Sequence, residues 1–184
     1  MPALAIWTPE DGLLGMVAPL GLAVAGGRCL MIDLDPLGPA YPGSRSLAEL
    51  VADEPRREDL TPGRSGIALL RNGGVDPGQA VDVVDALLRA WDRVVLRLPP
   101  RNPPAVSVPV VPVRLMLPGG MLPPLERPAA YQATPAGFRP PGPGIRLPIP
   151  RPATIGALLR GRMPSRRDRW IGAWRRAWEV SWER

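Results

Sequence analysis

The sequence predicts an α/β fold: a small, mostly parallel sheet with flanking helices, a proline-rich irregular belt and a C-terminal amphipathic helix. Three observations carry this. Short apolar runs alternate with helix-patterned segments along the first hundred residues, the order that gives a parallel sheet with helices on its faces. Apolar residues make up 45% of 184 positions, enough for one domain with a real core in a chain too short for two full-sized ones. Prolines are concentrated, with 17 of 27 between residues 99 and 152.

The elements follow in order. Ala3 to Trp7 is a short apolar run ended by Thr8-Pro9, as in a buried strand. Residues 12–25 are apolar and small, suiting a helix packed closely on a sheet, and Pro19 predicts that it is short or kinked. After the Gly26-Gly27 turn, Arg28 to Leu34 reads as a second strand, ending at Asp33 and Asp35. Ser46 to Val51 is a short capped helix, and Gly66 to Leu70 a strand closed by Asn72-Gly73-Gly74. Asp76-Pro77 opens a helix through Trp91, with Val81, Val84, Leu87, Leu88 and Trp91 on one face. Arg93 to Leu98 is a strand stopped by Pro99-Pro100. Val106 to Leu117 carries Pro109 and Pro112, which predicts an edge or irregular strand. Residues 118–152 read as extended loop lying on the domain, and helices resume near Thr154 and after Pro164-Ser165. The expected organisation is an α/β domain over 1–161, irregular in part over 99–152, followed by a basic Trp-rich helix over 162–184.

Composition removes much chemistry. Histidine and lysine are both absent, and all 23 basic residues are arginine. A Schiff-base lysine, a phosphate-binding lysine, a histidine base and histidine metal ligands are therefore excluded together. Ser44, Ser46 and Ser65 have no such base to activate them. The single cysteine, Cys29, lies in an apolar run and reads as a buried small hydrophobe. The first apolar stretch lacks a basic leader and is broken by Pro9 and Asp11, and no segment has the length of a membrane span free of charge and proline. The expected location is cytoplasmic, at most peripheral at the inner face of the membrane. Charge is divided: residues 1–138 hold 12 arginines and 14 acids, whereas residues 139–184 hold 11 arginines and 3 acids, a net of +8 in the tail.

Against that background three segments carry a likeness. Asp33-Leu34-Asp35-Pro36-Leu37-Gly38, after an apolar strand, resembles the DxDPQG segment of the MinD/ParA group of P-loop ATPases. Asp92 to Pro100 resembles that group's second Asp-bearing strand, which ends in Asp-x-Pro-Pro, and Gly144 to Pro150 followed by Ala157 to Gly161 is similar to its late "LPYD…G" stretch. The resemblance spans residues 3–161 in order and implies a trimmed P-loop fold. Among that group, the TadZ/CpaE-type proteins position machinery at a cell site.

The departures matter more than the matches. In the family a Gly-rich loop with two lysines cradles phosphates. Here the loop is Thr8 to Met16, and the lysine positions fall near Glu10 and Gly15; Glu10 and Asp11 would repel a polyphosphate. Where the family has an acid that helps to hold Mg²⁺ through water, this chain has Arg97. The expectation is a pseudo-ATPase with no catalytic residue, cofactor or metal. Its loop (Glu10, Asp11, Gly12, Gly15) is degenerate, and a relic site of Asp33, Asp35 and Arg97 is closed by an Arg97–Asp33 ion pair. The plainer reading of Asp33 and Asp35 is that they cap a strand end by accepting loop amides.

The segment from Ser165 to Arg184 is the most distinctive. Trp170, Trp174, Trp178 and Trp182 recur every four residues and share one helical face with Ile171, Ala173, Ala177 and Val180. Ser165 with Asp168 resembles a capping box, and Arg166, Arg167 and Arg169 crowd the first turn, where the helix dipole disfavours cations. Three readings stand: the Trp face docks on the domain's own core, it binds a partner or a second copy, or it lies on an anionic membrane with Arg166, Arg167, Arg169 and Arg175 beside it. The expected function is a non-catalytic positioning or scaffold protein acting through protein and membrane-surface contacts. The alternatives are nonspecific DNA binding through the arginine-rich tail, or a structural subunit of a larger complex.

Overall fold

The computed structural model describes residues 2–9, 12–53, 66–118, 121, 127–140, 142–165 and 167–182. Within them β1 (Ala3–Trp7), β2 (Cys29–Asp33), β3 (Ile67–Leu70), β4 (Val94–Arg97), β5 (Val110–Leu115), β6 (Ala129–Gln132) and β7 (Gly144–Leu147) form one sheet. Its order is β3-β2-β4-β1-β5-β6-β7. Every neighbouring pair is parallel, so the sheet goes beyond the mostly parallel one expected.

One face is covered by α1 (Gly12–Gly26), with α4 (Pro152–Leu159) and α5 (Arg169–Trp174) packed on it. The core there runs from Leu4 and Ile6 through Val95, Val111, Ile145 and Leu147 to Trp170 and Trp174. The opposite face carries α2 (Leu47–Asp53) and α3 (Val81–Ala90), whose Leu47, Leu50, Val84 and Leu87 meet Ala5, Leu30, Ile32 and Leu96. Alternate residues of β1, β2, β3 and β4 therefore serve different cores, as the pleat requires.

Local chemistry sets the helix ends. Ser46 and Glu49 make a reciprocal capping box at α2: the Ser46 amide donates to Glu49 Oε2 at 2.8 Å and the Glu49 amide to Ser46 Oγ at 3.3 Å. Asp76 caps the 3₁₀ turn Pro77–Ala80 that leads into α3. Cys29 is buried, and burial pushes its thiol up to about 12, so it behaves as the small hydrophobe expected.

Four expectations are corrected. Pro19 neither ends nor shortens α1, which runs fifteen residues through it. The helix is buried between sheet and outer helices along most of its length, and that packing outweighs the lost backbone donor. The segment with Pro109 and Pro112 is an interior strand, β5, between β1 and β6. It tolerates proline because the Pro109 carbonyl accepts from the Ala5 amide at 2.9 Å, and the β6 pairing begins only at Val113, past Pro112. Residues 118–152 are not simply loop, since they hold β6 and β7. These strands are four residues each, and Gly144 (φ +143°) lets β7 approach β6 so closely that a Cβ would strike the Ala129 carbonyl. Finally, among the described residues after Ser165 no single continuous helix is present. Asp168 is the N-cap of α5, accepting the Trp170 and Ile171 amides, and a 3₁₀ turn, Arg175–Trp178, follows at once.

Candidate functional site

Because β4 lies between β2 and β1, the carboxyl ends of these three strands open into one cavity of about 370 Å³. Thr8 and Pro9 after β1, Gly12 and Gly15 of α1, the Asp35–Pro39 loop after β2, and Arg97 to Arg101 after β4 line it. A crevice at the carboxyl ends of strands, where the chain reverses its direction of travel across a sheet, is where open α/β folds bind ligands. Glu10 and Asp11 lie outside the described residues; Gly12 and Gly15 are at the cavity wall.

Arg97, Asp33 and Asp35 are brought together as the registers dictate, with Asp33 paired to Arg97 across β2 and β4. Arg97 Nη1 donates to Asp33 Oδ1 and Oδ2 at 3.3 and 3.2 Å and to the Pro39 carbonyl at 3.1 Å. Its Nη2 donates to Asp35 Oδ2 at 2.8 Å. The expected Arg97–Asp33 pair is present, and Asp35 is a second partner. Both carboxylates also cap the strand end: Asp33 Oδ1 accepts the Asp35 amide at 3.0 Å, and Asp35 Oδ1 accepts the Leu37 and Gly38 amides at 3.2 and 3.0 Å. The two readings of these acids describe one arrangement.

All three side chains are 95% or more buried, so the site is a closed polar network. Burial pushes the Asp33 carboxyl up to about 6; the Arg97 charge and the Asp35 amide oppose that rise, and the Asp35 charge adds to it. Among the described residues no group of three or more acids or cysteines is placed to hold a metal ion. The oxygens of Asp33 and Asp35 face a guanidinium, so these carboxylates as placed do not fit Mg²⁺.

Sequence reasoning missed two supporting residues, Tyr41 and Asn72, and held Gly38 only as part of the motif. The Tyr41 ring lies 5.2 Å from the Arg97 guanidinium, and its hydroxyl donates to the Met16 carbonyl at 2.8 Å, tying the network to α1. Asn72 Nδ2 donates to the Asp33 carbonyl at 3.3 Å from the end of β3. Gly38 is required for space: a Cβ there would collide with Asp35 Oδ2 and Arg97 Nη2. Gly38→Ala is expected to break the Asp35 arm of the network and cost about 1–3 kcal/mol in denaturant melts, whereas wild-type stability would show that the loop yields. Nothing in the spacing marked Tyr41 or Asn72, but the glycine of the DxDPxG pattern was in view.

The C-terminal set lies elsewhere. Trp170 and Trp174 are 1% and 0% exposed, and Trp182 is buried too. Trp178 is partly buried, donating to the Leu22 carbonyl at 3.1 Å beneath Arg93. Of the three readings, docking on the domain's own core is the one observed. As membrane or partner anchors Trp170, Trp174 and Trp182 are corrected, because their apolar surface is already spent against α1 and the sheet. Arg167, Arg169 and Arg175 are exposed, and Arg166 lies outside the described residues. No helix among the described residues is long and apolar enough to cross a membrane.

No family model matches this chain, and no curated protein matches it.

Proposed function

We propose that this chain is a nucleotide-independent, MinD/ParA-like scaffold that positions other molecules and hydrolyses nothing. The observation that carries the reading is the Arg97 guanidinium, held by two carboxylates at the point where the resemblance would have a metal. A fixed cation there supplies permanently the charge balance that a bound metal ion would supply transiently. Convergence of the β1 loop, the DLDPLG turn and the β4 end on one cavity supports the likeness to a P-loop site. The absence of lysine supports loss of its activity. The protein is then rigid where a nucleotide switch would move, and its function lies in its surfaces.

Differential scanning fluorimetry with millimolar MgATP tests this directly. The melting temperature is expected not to move. A site loaded at a hundred times its Kd would add about 2.7 kcal/mol, and a corresponding rise would overturn the reading.

A further inference from the structure

We infer that the cleft between α3 and the β4–β5 connection is a binding site for a small-molecule primary amine with an apolar body. This goes beyond the scaffold reading, which assigns no ligand, and it concerns the face of the sheet opposite α1. Parallel strands are usually joined by a crossover that carries a helix. The connection from β4 to β5, residues 98–109, crosses β1 without one, and Pro99, Pro100, Pro103 and Pro104 explain why. It lies on the α3 side as a strap, pinned there by buried Val108. A strap covers less of the sheet than a helix would, and a cleft of about 440 Å³ remains beside α3.

The cleft is apolar along its length. Leu34 and Leu96 line it from the sheet, Val84 and Leu88 from α3, and Val106 from the strap. Val81, at the start of α3, is 52% exposed at the same cleft, so apolar surface continues to the mouth. The volume falls within the roughly 300–1,000 Å³ of small-molecule sites, and is about three times that of a cavity that admits benzene.

One charged group stands among the residues that line it, Asp85, which is half-buried. Asp85 has no hydrogen bond or ion pair with any described residue, and Arg89, one turn along α3, does not reach it. The helix dipole accounts for Asp82 in the first turn of α3 but falls off before Asp85. This charge sets the class of ligand. A carboxylate would meet like charge, and a neutral molecule would cover Asp85 and leave it desolvated without a partner. An ammonium on an apolar body meets both demands. Its carbon frame takes up the leucine and valine surface, while its N–H groups donate to Asp85 in charge-assisted bonds and to the Ser107 hydroxyl on the strap.

Isothermal titration of the full chain with tryptamine, tryptophol and indolepropionate tests the inference. These probes share an indole on a short arm and end in an ammonium, a hydroxyl and a carboxylate. Tryptamine is expected to bind about tenfold more tightly than tryptophol, and indolepropionate more weakly than either. In D85N the tryptamine advantage should vanish while tryptophol binds as before. V81W places an indole at the mouth from an exposed position, and should weaken tryptamine and tryptophol together by at least about tenfold without lowering the melting temperature. S107W plugs the cleft from the strap and gives the same readout should V81W disturb α3. L37W, at the mouth of the cavity beside Arg97, should leave binding unchanged. No binding of tryptamine at millimolar concentration, or D85N binding it as wild type does, overturns the proposal. So does unchanged binding by both plugged variants, or loss of binding in L37W, which would move the amine to the other cavity. None of these titrations contains nucleotide, so the scaffold reading stands or falls separately on MgATP.

Discussion

Arg97→Ala is expected to destabilise the protein by about 3–5 kcal/mol, read as a lower denaturation midpoint at unchanged slope. The loss comes from what is left behind. Asp33 and Asp35 are 1% and 5% exposed, and without the guanidinium two carboxylates remain in a site that water does not enter freely. Their loop amides still serve them, so the site does not lose every partner. The effect has a pH signature whose sign follows from Asp33. Its folded-state pKa is raised to about 6 from the ordinary 3.8, chiefly by burial, so the folded protein holds that proton more readily than the unfolded chain. The Asp33 contribution to stability is thus fully present below about pH 4 and is lost as the pH rises through about 6. Removing Arg97 removes the largest influence that lowers this pKa, so the carboxyl rises further. The deficit of the variant should accordingly shrink between pH 8 and pH 5, as the stranded acid takes up a proton. A deficit that stays constant over that range would place the loss in packing against Tyr41 instead.

This network also shows how far the sequence could be read. The motif around Asp33 and the arginine at the end of β4 are local signals, and parallel pairing of β2 with β4 converts them into a contact. The alternation of elements up to β4 was legible for the same reason, since β1, β2 and β3 are each bounded by turn residues and followed by a helix. Beyond Leu98 the signals invert. Pro112 is a strand breaker by rule, yet it pairs with Trp7 of β1 where the ladder to β6 has not begun, and only the register reveals that. Ala129–Gln132 has neither β-branched residues nor polar alternation, and is a strand because it bridges β5 and β7. Its stability is tertiary, which no four-residue window can display. The tryptophan period reads as one helical face, but only Trp170 and Trp174 lie in α5, Trp178 ends the 3₁₀ turn and Trp182 lies beyond it, and periodicity cannot say what covers a face. The complementary mark was in α1, where Gly21 and Gly26 leave room for the indoles of Trp170 and Trp178.

That interlock is the second place where a single change should cost most. Trp170 and Trp174 stand edge to face, 5.7 Å between ring centroids, over the gap left by Gly21, so a Cβ at Gly21 would collide with both. Truncating either to alanine is expected to cost about 3–5 kcal/mol, because a large cavity opens between α1 and the outer layer. The two differ in their polar atoms, and this separates packing from hydrogen bonding. Trp170 Nε1 donates to Gln132 Oε1 at 2.8 Å, while Gln132 Nε2 holds the Ala133 and Pro148 carbonyls at 3.0 Å each. That chain ties α5 to the segments following β6 and β7, at the end of the sheet built from the least regular sequence. Trp174 Nε1 is buried with no acceptor among the described residues. Trp170→Phe should therefore cost about 1–3 kcal/mol more than Trp174→Phe, since it strands the buried Gln132 oxygen whereas the other change removes a donor that had no partner. Urea melts of the two phenylalanine variants decide the point. Equal losses would mean that the indole–glutamine bond is incidental and that the layer is held by shape alone.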